Sequence, residues 1–156
     1  MKSIWPLIGR ALYYIGGPFV FPFTLNKSRR VKVALIDPET DRILLSQTWI
    51  GLQEWNLVGG GIQKGEDMYV AAIREVKEET GLNISTNQLE HIDEITESEY
   101  RATYTSHVFL AHVPEKAVER RKIELLGLEW FDRKHLPKPY NKQTIKSVER
   151  KLSQQG

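Results

Sequence analysis

Glu75, Glu78 and Glu79 fall at i, i+3 and i+4, the spacing that places three side chains on one face of a helix. The surrounding residues support a helix from Asp67 to about Thr80. Met68, Ala72, Ile73 and Val76 recur at intervals of three and four, which makes an apolar stripe for packing. Like charges at these intervals repel by a few tenths of a kcal/mol per pair, roughly. A divalent cation held among the three carboxylates would reverse that sign. Their oxygens are hard ligands, better suited to Mg²⁺ or Mn²⁺ than to zinc. The alternative is a solvated acidic face on an ordinary helix. The preceding residues bear on the choice: Gly59, Gly60, Gly61 and Gly65 make a loop whose backbone can approach other groups closely. Glu66 and Asp67 at the helix start favour capping or metal chemistry over direct phosphate binding. Gly81 is placed to end the helix.

The rest of the chain must position this stretch. Its 156 residues suffice for one domain with a real core. Hydrophobic residues make up 40% and charged residues 27%, as in a soluble globular protein. A net charge of +2 gives no strong pull toward nucleic acid or anionic membrane. With no cysteine, a disulfide, a thiol nucleophile and a Cys-ligated zinc are excluded, and a cytoplasmic location fits. His91, His107, His112 and His135 lack zinc-site spacing and read as structural or surface residues.

Residues 31–36 (VKVALI) and 42–49 (RILLSQTW) read as two strands of a hairpin around the turn Asp37–Asp41. Trp55–Val58 is a short strand delivering the chain to the glycines. Leu89–Thr96, Tyr104–Val113 and a run within Ile123–Phe131 are further strands, with a bulge suggested at Gly127. Glu97–Glu99 reads as a loop, and Asp132–Leu136 as one helical turn. Asn141–Leu152 is helical, with Asn141 as its N-cap. Strands, helix, strands and terminal helix make an α/β chain: a mixed sheet covered on both faces.

Residues 1–28 stand apart from a domain spanning 29–156. Ile4–Phe23 is apolar and aromatic, but Arg10, Gly16, Gly17, Pro18 and Pro22 interrupt any membrane span. A short helix over Ile4–Ile15 followed by an extended PFVFPF segment fits better. It would pack on the domain or on a partner copy; an aromatic membrane-surface anchor through residues 4–23 is the alternative.

The central stretch also resembles the Nudix box, G-x5-E-x7-R-E-U-x-E-E-x-G-U, with U a bulky aliphatic residue. Gly60, Glu66, Arg74, Glu75, Val76, Glu78, Glu79, Gly81 and Leu82 occupy its specified positions without mismatch. The strand pattern extends the likeness over roughly residues 30–137. The departure is Val58, where many members carry proline; it leaves the metal ligands untouched. The resemblance implies an α/β/α sandwich with a central mixed sheet. It also implies a Mg²⁺-dependent hydrolase that cleaves a pyrophosphate bond in a nucleoside diphosphate linked to a further group. A dinucleoside-polyphosphate hydrolase is a variant of this expectation. A nucleotide-binding sensor without turnover is the rival, although every acidic position of the box is filled.

Carried over by position, Glu78 and Glu79 are metal ligands, joined by a backbone carbonyl of Gly59 or Gly60. Glu75 is a further ligand or the base that orients water. Arg74 is expected to hold a carboxylate by a charge-assisted bond, and Glu66 to tie the loop to the helix. Glu97 or Glu99 could return to the site as an extra acid, with Glu124 and Glu129 as alternatives. Trp49 and Tyr100 are candidates for stacking on a nucleobase; Trp55 and Tyr104 are better read as core. Homodimers are common in the family, and the aromatic N-terminus could supply an interface.

Overall fold

An uninterrupted apolar run with one lysine, Val31–Ile36, is the pattern of a strand covered on both faces. The computed structural model describes residues 8, 11–12, 14–16, 28–48, 54–99, 102–118 and 125–154. In it this run lies within strand β1, Arg29–Ile36. Val31, Val33 and Leu35 face one apolar cluster, while Ala34 and Ile36 face a second on the other side of the sheet. At the turn the Asp37 carboxylate accepts N–H groups from Glu39 at 2.7 Å and from Glu115 at 2.8 Å.

Strand β2, Arg42–Thr48, returns antiparallel, yet its pairing with β1 is confined to Leu35↔Leu44 and Ile36↔Ile43. Beyond those pairs the two strands separate, and residues 55–58 enter the gap. Asn56 exchanges two backbone hydrogen bonds with Ser46, at 2.8 and 2.9 Å, and Val33 N–H donates to the Val58 carbonyl at 2.7 Å. The expected short strand is thus a series of single bridges, to Ser46, to Val33 and, through Trp55, to Tyr140.

The remaining strands are β3 (Glu90–Glu99), β4 (Ala102–His112) and β5 (Leu125–Asp132). The sheet runs β3-β4-β1-β2-β5, and β1 lies parallel to β4, so it is mixed. Helix α1, Met68–Thr80, covers the face bearing Val31, Val33 and Phe109. Helix α2, Lys142–Ser153, covers the other through Ile145 and Val148. This is the α/β/α sandwich expected from the sequence. Both helices carry the caps that the sequence suggests. Asp67 accepts the Tyr69 and Val70 N–H groups, Asn141 those of Gln143 and Thr144, and Gly81 ends α1 with φ 79°. Each N-cap is worth about 1 kcal/mol.

Three local expectations are corrected. Glu97–Glu99 is not a loop: the β3–β4 ladder continues to Glu99↔Ala102. Alternation does persist there, but the inward residue is a glutamate, so an apolar pattern misses it. Asp132–Leu136 forms a turn without a helix. The irregularity near Gly127 falls at Leu126, where Gln47 faces Gly127 and Thr48 faces Leu125. Gly127 itself lies under Trp55: a Cβ there would come within 2.5 Å of the indole.

At the N-terminus residues 8, 11–12 and 14–16 are helical. Ile8, Leu12, Tyr14 and Ile15 on them are exposed. The PFVFPF segment lies outside the described residues. Among the described residues no helix is long and apolar enough to cross a membrane.

Candidate active site

The glycine loop is built against the half of β1 that β2 leaves uncovered. Val31 N–H donates to the Gly60 carbonyl at 2.9 Å, and Ile62 N–H to the Arg29 carbonyl at 2.9 Å. This fit demands two glycines, for different reasons. A Cβ at Gly59, whose φ is 150°, would lie 2.1 Å from the Val31 carbonyl oxygen. One at Gly60 would lie 2.5 Å from Glu75 Oε1. The first collision is with backbone; the second is with a carboxylate that the loop cradles.

Arg74 joins the loop to α1. Its Nε and Nη2 reach Glu66 Oε1 and Oε2 at 2.8 and 3.0 Å, a two-pronged contact. Nη2 also donates to the Gly61 carbonyl at 2.9 Å, and Nη1 to Glu75 Oε1 at 2.7 Å. The guanidinium therefore holds carboxylates and a loop carbonyl together, which a planar fork of five donors does well. Glu66 accepts the Gln63 N–H at 2.8 Å as well.

The Arg74 contact first, and the Gln63 amide second, hold the Glu66 carboxyl down from 4.5 to about 2. A carboxylate whose pKa is depressed by folding contributes stability that is full above its ordinary pKa and is lost as pH falls through the folded value. Glu66→Gln is therefore expected to destabilise the protein by about 2 kcal/mol at neutral pH. It should also flatten the loss of stability between pH 4.5 and about 2. Thermal melts across that window measure both, and an unchanged acid limb would contradict the assignment.

The three glutamates of α1 are not equivalent. Glu75 and Glu79 are buried, at 4% and 2% exposure, because they flank the packed positions Ala71, Ala72 and Val76. Glu78 stands one step round the helix, its side chain 46% exposed and 3.5 Å from Arg74 Nη1. Two carboxylates thus point inward and one stands at the rim. The donor chemistry fits a hard divalent cation. The set consists of carboxylate oxygens and a glycine carbonyl, and the loop is shaped around the Glu75 carboxylate. Among the described residues no three acidic or imidazole side chains already converge on one point. Mg²⁺ does not need a closed cage; it keeps several waters and uses one or two carboxylates plus substrate phosphate oxygens.

A second polar cluster, built around the candidate acid Glu97, lies across the sheet. Glu97 is buried, at 5% exposure. Ser106 Oγ donates to its Oε2, and Asn141 Nδ2 to its Oε1 at 2.9 Å. Lys32, at 8% exposure, projects to the same face from β1. Burial pulls its ammonium down to about 8 and repulsion from Arg30 adds to this, while Glu97, Glu79 and Glu75 oppose it. The one sequence signal for Lys32 was a lone lysine inside an apolar strand.

Trp49, Tyr100 and Glu124 lie outside the described residues, and Glu99 ends β3. Glu129 is exposed on β5. Trp55 packs edge-on against Phe131 at 4.8 Å, and the Arg30 guanidinium sits 5.6 Å from the Tyr104 ring centre. His107 is buried beside Arg29, whose Nη2 lies 3.2 Å from Nε2, whereas His112 is exposed.

Comparison with known proteins gives a consistent picture. The NUDIX domain model matches residues 26–152. Nudix hydrolase 10 of Arabidopsis thaliana is 26% identical over 107 residues, which cover 69% of this chain and 39% of that protein. The chain therefore spans well under half of this curated relative. Among solved structures, the NUDIX domain of Shewanella oneidensis NrtR complexed with ADP ribose aligns with a TM-score of 0.67 and 18% identity, covering 81% of this chain and 88% of that one. A C. elegans Ap4A hydrolase aligns with a TM-score of 0.63 and 21% identity, over 83% of this chain and 98% of the other.

Proposed function

Because this chain belongs to the NUDIX family, we propose that it is a pyrophosphohydrolase that uses Mg²⁺, or Mn²⁺ in its place, and acts on a nucleoside diphosphate linked to a further group. The observation that carries this is the pair of buried carboxylates on α1, Glu75 and Glu79, the first of them set against a glycine loop that has room at Gly60 for it and for no side chain of its own.

The diphosphate is polyanionic and repels an attacking water. A bound divalent cation would offset that charge, orient the phosphates and acidify a water. Glu75, Glu78 and Glu79 would hold it. A backbone carbonyl of Gly59 or Gly60 would add an oxygen; that of Gly60 also accepts the Val31 N–H at 2.9 Å. Arg74 aims Glu75 and braces the loop through Glu66 and does not contact phosphate. Glu75 serves as a further ligand or as the base that orients the attacking water. The nucleoside is read elsewhere, by Trp49, Tyr100 and the neighbouring loops. Residues 1–28 form a separate segment that packs on the 29–156 domain or a second copy. The absence of cysteine suits a cytoplasmic enzyme.

The test is a substrate panel with Mg²⁺, including deoxynucleoside triphosphates, oxidised forms of these, ADP-ribose, dinucleoside polyphosphates and capped RNA. Isotopically labelled water identifies the phosphorus attacked. Metal-dependent cleavage of at least one compound is expected. Tight binding without turnover across the panel would instead make the protein a nucleotide sensor.

A further inference from the structure

We propose that His107 and Arg29 form a pH-sensitive latch on the glycine loop: the neutral imidazole holds the guanidinium and pins the loop to β1, and the protonated imidazole lets it go. Its bearing on catalysis rests on the metal site proposed above. Arg29 opens β1, and His107 on β4 pairs with Val31, two residues further along. Arg29 and His107 are therefore diagonal neighbours on the face that α1 covers. Arg29 Nε and Nη2 lie 3.3 and 3.2 Å from His107 Nε2. A guanidinium has donors and no acceptor, so Nε2 is the bare nitrogen and the ring proton sits on Nδ1. Among the described residues Nδ1 is buried without a hydrogen-bond partner; the Glu94 carboxylate on β3 is 3.4 Å away.

Protonation puts an N–H on Nε2, against a group that also only donates. Two cations then face each other across 3.2 Å, and the contact turns repulsive. The charged and titratable groups around His107 are Arg29 from β1 and His91 and Glu94 from β3. On the α1 side the neighbours are uncharged, Tyr69 edge-on to Phe109 and Phe109 edge-on to His91. Lys64, Glu66 and Asp67 line the open cavity of about 680 Å³ that Arg29 borders with Ile62 and Met68. Burial first, and Arg29 second, hold the imidazole below its ordinary 6.5; Glu94 opposes them. The latch is thus closed above pH 6.5 and opens as pH falls through the lower value of the folded protein. What it secures is the loop. The Arg29 carbonyl accepts the Ile62 N–H at 2.9 Å, and Arg30 bridges Gly61. Beyond Ile62 the loop borders the cavity, so its hold on β1 depends on a strand end that opens locally once the Arg29 side chain is free.

Amide hydrogen exchange at Ile62 in the purified full chain, without metal or nucleotide, reads the latch directly. After correction for the intrinsic rate, protection is expected to fall about tenfold between about pH 7.5 and about pH 5. His107→Gln should stay protected throughout, because its amide oxygen accepts from the guanidinium at either pH. Arg29→Met should be poorly protected at both, and His91→Gln should keep the parental step. If His107→Gln does not fold, the parental step and its absence in Arg29→Met still decide. Parental protection that ignores pH overturns the proposal. So does a step that persists in His107→Gln or Arg29→Met, or that vanishes in His91→Gln. Failure of the metal site shows separately, as Mn²⁺ binding that survives Glu79→Gln, and leaves the exchange results unchanged.

Discussion

Glu79→Gln is expected to lower kcat/KM by about 10³-fold on whichever nucleotide the panel identifies, with little change in melting temperature. The size follows from what the carboxylate does. Charge stabilisation by a metal is worth several kcal/mol, and each 1.36 kcal/mol is about tenfold in rate. Glutamine keeps the shape and both polar positions of the side chain, so packing beside Ala72 and Val76 survives. It removes the charge that a hard cation requires. Glu79 is the apt target because it is buried, at 2% exposure, where solvent cannot screen the loss. The measurement is steady-state kinetics over a wide range of Mg²⁺. A variant with parental kcat/KM would place the metal elsewhere.

Arg74→Ala is expected to cost about 3 kcal/mol of stability, because it strands carboxylates that were bonded to a guanidinium. For a chain of this size that is a fall of roughly 10 °C in Tm. Activity should drop about a hundredfold as well, since Glu75 loses the bond at 2.7 Å that fixes one oxygen. Arg74→Lys should recover little of either, because an ammonium cannot grip both Glu66 oxygens while reaching Gly61 and Glu75. Melts and kinetics on the two variants decide it. Parental stability in Arg74→Ala would show that the loop is held by its backbone alone.

How much of this was legible in the sequence depends on how local each signal is. The helix Met68–Thr80 could be read from its own residues: the stripe of Ala72 and Val76, the cap Asp67 and the stop Gly81 all act within a turn. The same holds for Asn141 and α2. Glu97 could not be read in this way. It occupies an inward position on β3, where Ser106 and Asn141, brought there by the fold, donate to its two oxygens. Lys32 is a similar case, a charge in an apolar run that the sheet buries at 8% exposure. The splitting of β1 from β2 left no mark in either strand, because it depends on Asn56 and Val58 arriving between them.

That insertion has a consequence for the order of assembly. Residues 55–58 find partners on β2, on β1 and, through Trp55, on the stretch just before α2. Trp55 N–H donates to the Pro139 carbonyl and Asn141 N–H to the Trp55 carbonyl, each at 2.9 Å. These are contacts of long sequence separation, which pay their loop-closure entropy before they are rewarded. Helix α1 can form early from local contacts, but the strand that leads to its glycine loop gains its last partners only when residues 139–141 have been made and folded back. A ribosome must therefore release most of this chain before the glycine loop has a complete floor, and a molecule interrupted short of α2 would carry every residue of the box without the frame that aims it.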